Sequence, residues 1–275
     1  MEKTMFFFID NNRAMISLGP LTKNKYCPYS CAFCYVKSGF VQYPNLEIDE
    51  IVSYLIENRK KYNIIYISGD TDSFAPPRTN KAIKLLEKIS KNIDVDITFT
   101  TRTLFKKEEI EKLKNISDYM KNKNHKLIAS ISISRLYSSE FIEPKPIPEP
   151  EKRIELIKEL KQNGIYIMLA VRPFLPIIDS NEYIEIIKRC KNYVDVVLGE
   201  IWYADEKMIN DVCRDIDISK ISFVEKRMDF NTNKKVWKCY EAQSIVKDVD
   251  DYCKKNNIKF YMRSYPAIEY IRSLE

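Results

Sequence analysis

No apolar run in this sequence approaches the ~20 residues that a membrane span needs. The start, Met1-Glu2-Lys3-Thr4-Met5 followed by Phe6-Phe7-Phe8-Ile9, holds too short an apolar stretch for a secretory signal, so the chain reads as cytosolic with no membrane partner. Strongly basic tracts are missing too: the net charge is only +6, and runs such as Arg59-Lys60-Lys61 are soon interrupted. That balance permits nucleic acid without indicating it, and it equally suits an acidic partner such as an electron-transfer protein. There is one histidine, His125, on a polar Lys-Asn stretch that reads as surface. Low-complexity tracts, Ser/Gly linkers and internal repeats are also absent, which makes one domain the economical reading. What is present excludes disorder, collagen and a disulfide miniprotein: 275 residues at 45% hydrophobic can bury a large core.

Apolar, β-branched runs alternate with amphipathic segments. Strands are expected at 14–18, 64–68, 95–100, 127–133, 166–171, 194–198 and 259–262, and helices at 48–61, 80–91, 106–114, 149–163, 181–192 and 242–256. Ser180 suits the cap of the fifth helix and Gly164 the stop of the fourth. Short strands apolar on both faces, joined by helices, mean a parallel sheet, open or rolled into a barrel. With only five glycines, their places matter: Gly19, Gly69 and Gly199 each follow a strand, where backbone turns tightly or meets a ligand closely, and Gly39 closes the cysteine-rich loop.

Seven cysteines is an odd number, which argues against a disulfide framework. Cys190, Cys213, Cys239 and Cys253 are scattered, whereas Cys27, Cys31 and Cys34 share the segment Cys27-Pro28-Tyr29-Ser30-Cys31-Ala32-Phe33-Cys34-Tyr35. Three thiolates on a short loop can hold three corners of a cubane cluster and leave the fourth iron open. A structural zinc site wants four closed ligands, and none of the lone cysteines stands at ligand spacing. The competing reading is a non-catalytic protein, either an iron–sulfur carrier or a zinc-stabilised module. Tyr29, Phe33 and Tyr35 interleave the cysteines and would give a cluster an apolar shell.

This loop resembles the signature of the radical S-adenosylmethionine (radical SAM) superfamily in all three cysteines and in the aromatic Tyr35 beside the third. The resemblance implies an α/β fold, a partial (βα)6 TIM-type barrel with a less regular C-terminal extension: a core over 1–200 and an extension over 201–275 in the same domain. It implies a 4Fe-4S cluster on Cys27, Cys31 and Cys34, and S-adenosylmethionine as the second cofactor, cleaved reductively to a 5′-deoxyadenosyl radical that abstracts hydrogen from substrate. An acidic electron donor such as flavodoxin or ferredoxin follows. Ser68-Gly69-Asp70 stands where the family has a Gly-Gly-Glu-like element for the methionine amino group. Gly69-Asp70-Thr71-Asp72-Ser73, Glu143-Pro144 with Arg153, and Ala170-Val171-Arg172-Pro173-Phe174-Leu175-Pro176 further resemble spore photoproduct lyase and its relatives. That branch implies DNA repair, although the chain looks short of the branch's DNA-engaging C-terminal part, so a peptide, metabolite or nucleotide substrate is expected instead.

The candidate cofactor-binding residues are Ser68, Gly69, Asp70, Asp72, Ser132, Ser134, Glu143, Arg153 and Tyr35. Ser132 and Ser134 can bond ribose hydroxyls or a carboxylate, and Arg153 can pair a carboxylate bidentately. Arg102 and Arg172 can bind anionic groups or neutralise nearby carboxylates, and Glu200-Ile201-Trp202-Tyr203 sets aromatics where a substrate would pack. Cys239, beside Trp237 and Tyr240, is the candidate catalytic hydrogen donor, its alternative role being a small buried hydrophobe.

Overall fold

The computed structural model describes residues 8–10, 12–18, 27–38, 47–69, 71–137, 140–227 and 235–275; Gly19, Gly39 and Asp70 lie outside them. Its elements are, in chain order, β1 (Phe8–Asp10), β2 (Arg13–Ile16), α1 (Ile48–Glu57), β3 (Ile64–Ile67), α2 (Thr79–Asn92), β4 (Asp96–Thr101), α3 (Lys107–Lys121), β5 (Leu127–Ser132), α4 (Pro150–Gln162), β6 (Tyr166–Ala170), α5 (Ser180–Cys190) and β7 (Val196–Leu198). The later chain adds β8 (Trp202–Ala204), α6 (Glu206–Val212), β9 (Phe223–Arg227), β10 (Val236–Tyr240), α7 (Gln243–Lys255), β11 (Phe260–Tyr261) and α8 (Ser264–Ser273). Strands β2 to β7 and then β11 pair in parallel, with β1 antiparallel at the edge. The parallel strands curl into a half-barrel, the partial TIM-type α/β fold that the βα alternation and the cysteine loop lead one to expect.

The strands lie where the sequence places them because both of their faces are buried. Ile65, Ile67, Ile97, Phe99, Ile131, Leu169 and Val197 pack on the side of α1–α5, while Ile64, Tyr66, Ile128, Met168, Val196 and Leu198 pack on the other side with Ala267, Ile268 and Ile271 of α8. Three contacts fasten α8 to the sheet. Arg13 donates to the Ser264 hydroxyl at 2.6 Å. Arg272 Nε donates to Asp96 Oδ2 at 2.6 Å. The Lys126 ammonium at the start of β5 donates to the carbonyls of Ile271, Arg272 and Leu274, where a helix leaves its last acceptors free. Sequence reasoning missed this helix because Pro266 and a short apolar stripe disguise it.

Helix ends differ in detail. Helix α1 stops at Glu57 and passes into a 3-10 turn at Arg59–Lys61, since that basic triplet has nothing to bury. Helix α3 runs past 114 to Lys121 because Ile116, Ser117 and Met120 continue its buried stripe. The cap of α5 is Asp179, whose carboxylate accepts the Asn181 N–H at 2.8 Å, rather than Ser180. Gly164 ends α4 at φ +74°, as expected.

After residue 200 the chain departs from the βα pattern, and β8, β10 and β9 form a separate three-stranded antiparallel sheet before α7 and β11 return to the main one. Among the described residues, no helix is long and apolar enough to cross a membrane.

Gly199, one residue past β7, is needed for close approach: a Cβ there would stand 2.8 Å from the Phe174 ring and 2.9 Å from Phe260. Gly199→Ala is therefore expected to lower the unfolding free energy by about 1–3 kcal/mol, as overpacking does, read from denaturant melts.

Candidate active site

The carboxyl ends of the parallel strands open into one cleft. Its walls are Ser68, Gly69, Thr71 and Asp72 after β3, Thr100 to Arg102 at the end of β4, Ser132 closing β5, Arg172-Pro173 after β6 and Glu200 to Tyr203 after β7, facing the cysteine loop. This is the end of a parallel sheet at which ligands bind. Cys27, Cys31 and Cys34 all line it, Cys31 buried and the other two half-buried. Among the described residues no group of three His, Cys, Asp or Glu side chains is arranged to hold a metal ion, so the three thiols share a wall rather than a point. Burial pushes the Cys31 thiol up to about 12, against the opposing charge of Arg102. A buried thiol of this kind ionises only when a cation arrives to compensate it. The donor set, three thiols without a fourth at the cleft, fits a cluster with one open iron.

The loop contributes little of its own fold, a turn from Cys34 N–H to Cys31 C=O at 3.3 Å. Its neighbours hold the rest. Ala32 N–H donates to Ile142 C=O at 2.9 Å, in the connection between β5 and α4. The Tyr29 and Thr103 hydroxyls share a 2.8 Å hydrogen bond. Trp202 Nε1 of β8 donates to Phe33 C=O at 3.0 Å, and Trp237 of β10 meets the Tyr35 ring edge-on at 6.2 Å. The Arg102 guanidinium lies 5.5 Å over the Phe33 ring.

Of the residues expected to meet a cofactor, Tyr35, Ser68, Gly69, Asp72 and Ser132 line the cleft, and Asp70 is outside the described residues. Ser68 sits at φ +69°, a strained conformation for a residue with a side chain, and its hydroxyl accepts the Ser73 N–H at 3.0 Å. A Cβ on Gly69 would come 2.6 Å from Met15 Cε, so glycine lets the strand exit lie flat on the floor of the cleft. Asp72 already serves the fold: its carboxylate accepts from Phe74 N–H, the Thr101 hydroxyl and Arg102 N–H at 2.7–3.0 Å, while burial pushes its carboxyl up.

Glu143, Arg153 and Ser134 stand behind the cleft wall instead of in it. Arg153 on α4 is 1% exposed, pairs with Glu143 and donates to Ser132 C=O at 2.6 Å. Glu143 also takes Arg102 Nε at 3.1 Å, and Arg102 Nη2 donates to Ser134 Oγ at 3.1 Å. The Ser134 hydroxyl in turn donates to Arg172 C=O at 2.8 Å. With both of its guanidinium groups engaged inside the protein, this network supports the wall in place of holding a ligand carboxylate. Arg172 pairs with Glu200 at 3.2 Å. Cys239 does not line the cleft: it is wholly buried on β10, its Sγ 3.8 Å from Trp237 C=O, so the small-hydrophobe role fits it and the hydrogen-donor role does not. His125 is partly exposed, 3.7 Å from Asp96.

Thr100, which lines the cleft, and Tyr66, bonded to it, escaped sequence reasoning. The Tyr66 hydroxyl bonds Thr100 Oγ1 at 2.7 Å and accepts from Arg172 Nη2 at 2.9 Å. The signal was there in the period of two that sets Tyr66 on the same strand face as Ser68.

The Glu143 carboxyl shows what this network contributes. Burial alone would raise it, but Arg153 and Arg102 more than offset that and hold it below its ordinary 4.5. A carboxyl lowered by folding adds stability that is complete above pH 4.5 and drains away as the pH falls below it. Glu143→Gln leaves two buried guanidiniums unpaired, so it is expected to cost about 3–5 kcal/mol at neutral pH and to flatten the acid limb of stability, measured by denaturant melts across the pH range.

Comparison with known proteins follows the same lines. Residues 22–190 match the model of the radical SAM superfamily. An uncharacterized protein of Methanocaldococcus jannaschii, MJ0683, is 26% identical over 167 residues, 58% of this chain and 61% of that one. ORF301, an uncharacterized protein of Acidianus two-tailed virus, is 25% identical over 170 residues, 54% of each chain. Among solved structures, the radical S-adenosylmethionine methyltransferase TsrM of Kitasatospora setae, with tryptophan and the analogue aza-SAM bound, superposes at a TM-score of 0.58 and 11% identity. That alignment covers 88% of this chain and 51% of TsrM, and at such identity it speaks for the fold alone. The chain thus spans about half to three fifths of these relatives. Because the family model runs from the cysteine loop through α5, more than half of the chain, the protein belongs to the radical SAM superfamily, whose cofactors are a 4Fe-4S cluster and S-adenosylmethionine.

Proposed function

We propose that this enzyme abstracts hydrogen from a peptide, metabolite or nucleotide substrate, with Cys27, Cys31 and Cys34 as the protein ligands of its cluster. The observation that carries this reading is the wall of three thiols at the carboxyl ends of the strands, while Cys190, Cys213, Cys239 and Cys253 are buried away from the cleft. When bound, the cluster and S-adenosylmethionine supply a 5′-deoxyadenosyl radical by one-electron cleavage of the sulfonium.

The chain's own residues bind, orient and keep the site dry. Ser68, Gly69 and Ser132 offer a hydroxyl, an open backbone and a second hydroxyl to the methionine and ribose ends of the cofactor, joined by Asp70 on the strength of the family resemblance. Asp72 keeps the exits of β3 and β4 in register. Tyr29, Phe33, Tyr35 and Trp202 give the cleft an apolar lining that excludes water from a reactive radical. Arg172 and Glu200, paired across the outer side, meet the substrate's polar groups.

The finer placement, beside spore photoproduct lyase and its relatives, is part of the same proposal. It is supported by Glu143 and Arg153, two of the residues that carry the resemblance, which form one buried ion pair. The extension over 201–275 belongs to the same domain as the core, a reading supported by β11, which adds to the main sheet. An acidic flavodoxin- or ferredoxin-like donor suits the net charge of +6, and a cytoplasmic setting suits seven cysteines that form no disulfide.

Anaerobic reconstitution, followed by reduction with S-adenosylmethionine present, tests the reading. Wild type is expected to hold about four irons and to release 5′-deoxyadenosine. Cys27→Ala, Cys31→Ala and Cys34→Ala should each abolish that release while leaving the unfolding transition near wild type. Full turnover in Cys31→Ala, or a single zinc with no product, would show the reading to be wrong. Substrate class is read separately: a nucleic acid substrate gives binding that weakens steeply with salt, whereas a peptide or metabolite does not.

A further inference from the structure

We propose that Arg102 is a positioning residue whose fixed positive charge raises the reduction potential of the cluster on the cysteine loop, with Glu143 and Ser134 holding that charge in place. The inference rests on the cluster assignment above and goes beyond it, because it concerns a residue that ligates nothing.

Arg102 is immobilised from both ends. Its backbone N–H donates to Asp72 Oδ2 at 2.7 Å, its Nε to Glu143 Oε1 at 3.1 Å and its Nη2 to Ser134 Oγ at 3.1 Å. Glu143 is gripped in turn by the fully buried Arg153. The guanidinium carbon is thereby set 5.5 Å over the ring of Phe33, which directly precedes Cys34, and Arg102 lines the cleft that the three thiols line. Among the described residues Glu143 is the carboxylate in ion-pair contact with the Arg102 guanidinium, and it is shared with Arg153; Asp72 meets Arg102 at the backbone N–H, and the guanidinium is the member of the network that lines the cleft with the thiols. Burial by itself would favour losing the Arg102 charge, but Cys31, Glu143 and Asp72 around it offset this and keep it protonated.

A fixed cation in this place acts on one step. An external one-electron reductant is oxidised and the cluster reduced; no proton moves and no bond breaks. The three thiolates already make the assembly anionic, and the added electron makes it more so. A fixed cation in a desolvated wall favours the more negative state, because water does not screen it there. Structural reinforcement of the loop alone would hold both redox states equally and leave the potential unmoved.

The test is an anaerobic redox titration, followed by electron paramagnetic resonance, of the reconstituted protein without S-adenosylmethionine. Arg102→Gln is expected to lower the midpoint so that, at a fixed potential, the ratio of reduced to oxidised cluster falls about tenfold, which is 59 mV for one electron. Arg102→Lys, which keeps the charge, should recover most of that loss. A loaded Arg102→Gln protein with a wild-type midpoint overturns the proposal, and weaker S-adenosylmethionine binding in that variant would make Arg102 a ligand contact instead. If Arg102→Gln assembles no cluster, Arg102→Ala and Arg102→Lys decide, and a loaded Arg102→Ala protein with a wild-type midpoint overturns it. Failure of the wild type itself to assemble a cluster counts against the cluster assignment, not against this role for Arg102.

Discussion

A short loop carrying three thiols cannot build a core of its own, and the position of that loop is the constraint on which the rest of the site depends. Its neighbours restrain it with a carbonyl from Ile142, a hydroxyl from Thr103, an indole N–H from Trp202, a ring edge from Trp237 and a cation from Arg102. These partners come from the exits of β4 and β5 and from two strands of the small antiparallel sheet. The extension after residue 200 is thus part of what holds the cysteines, since without β8 and β10 one side of the loop would face solvent. Burial also gives Cys31 a thiol reluctant to ionise, and that reluctance is what a cationic cluster relieves.

Stability and chemistry occupy opposite parts of the half-barrel. Helix α8 packs on the face turned away from α1–α5 and is pinned by Arg13, Lys126 and the pair Arg272–Asp96 at residues that open β2, β5 and β4. The other ends of the same strands carry the strained Ser68, the flat Gly69 and the polar residues of the cleft. Parallel-strand folds divide their labour this way, which lets the exits vary while the sheet stays the same. The network of Arg153, Glu143 and Arg102 lies between the two regimes: it is as buried as a core, yet its last member touches the loop that carries the chemistry.

The strands were legible because each is short, β-branched and apolar on both faces, a pattern with few other structural solutions. The cysteine spacing was legible because three thiols so close together have few uses. The small sheet was not: β8 is three residues long, β9 is mostly exposed, and neither shows a strong period of two. The pairing of Arg102 with Glu143 was hidden for a different reason, since 41 residues separate them and nothing local in the sequence says which carboxylate Arg102 meets. Arg153 and Glu143 stand out in the sequence as candidates for a ligand, and in the fold they meet each other behind the cleft wall. What sequence carries is that a buried charge needs a partner; the fold decides which partner it finds.

All of the chemistry assigned here turns on one iron that the chain leaves without a ligand. The most direct measurement is a Mössbauer spectrum of the protein reconstituted with iron-57, taken before and after S-adenosylmethionine is added. The expected result is that one iron of the cluster changes its isomer shift and quadrupole splitting on addition while the other three do not. Four irons that stay equivalent and indifferent to S-adenosylmethionine would mean a fully ligated cluster, and a cleft with no place for the cofactor to bind.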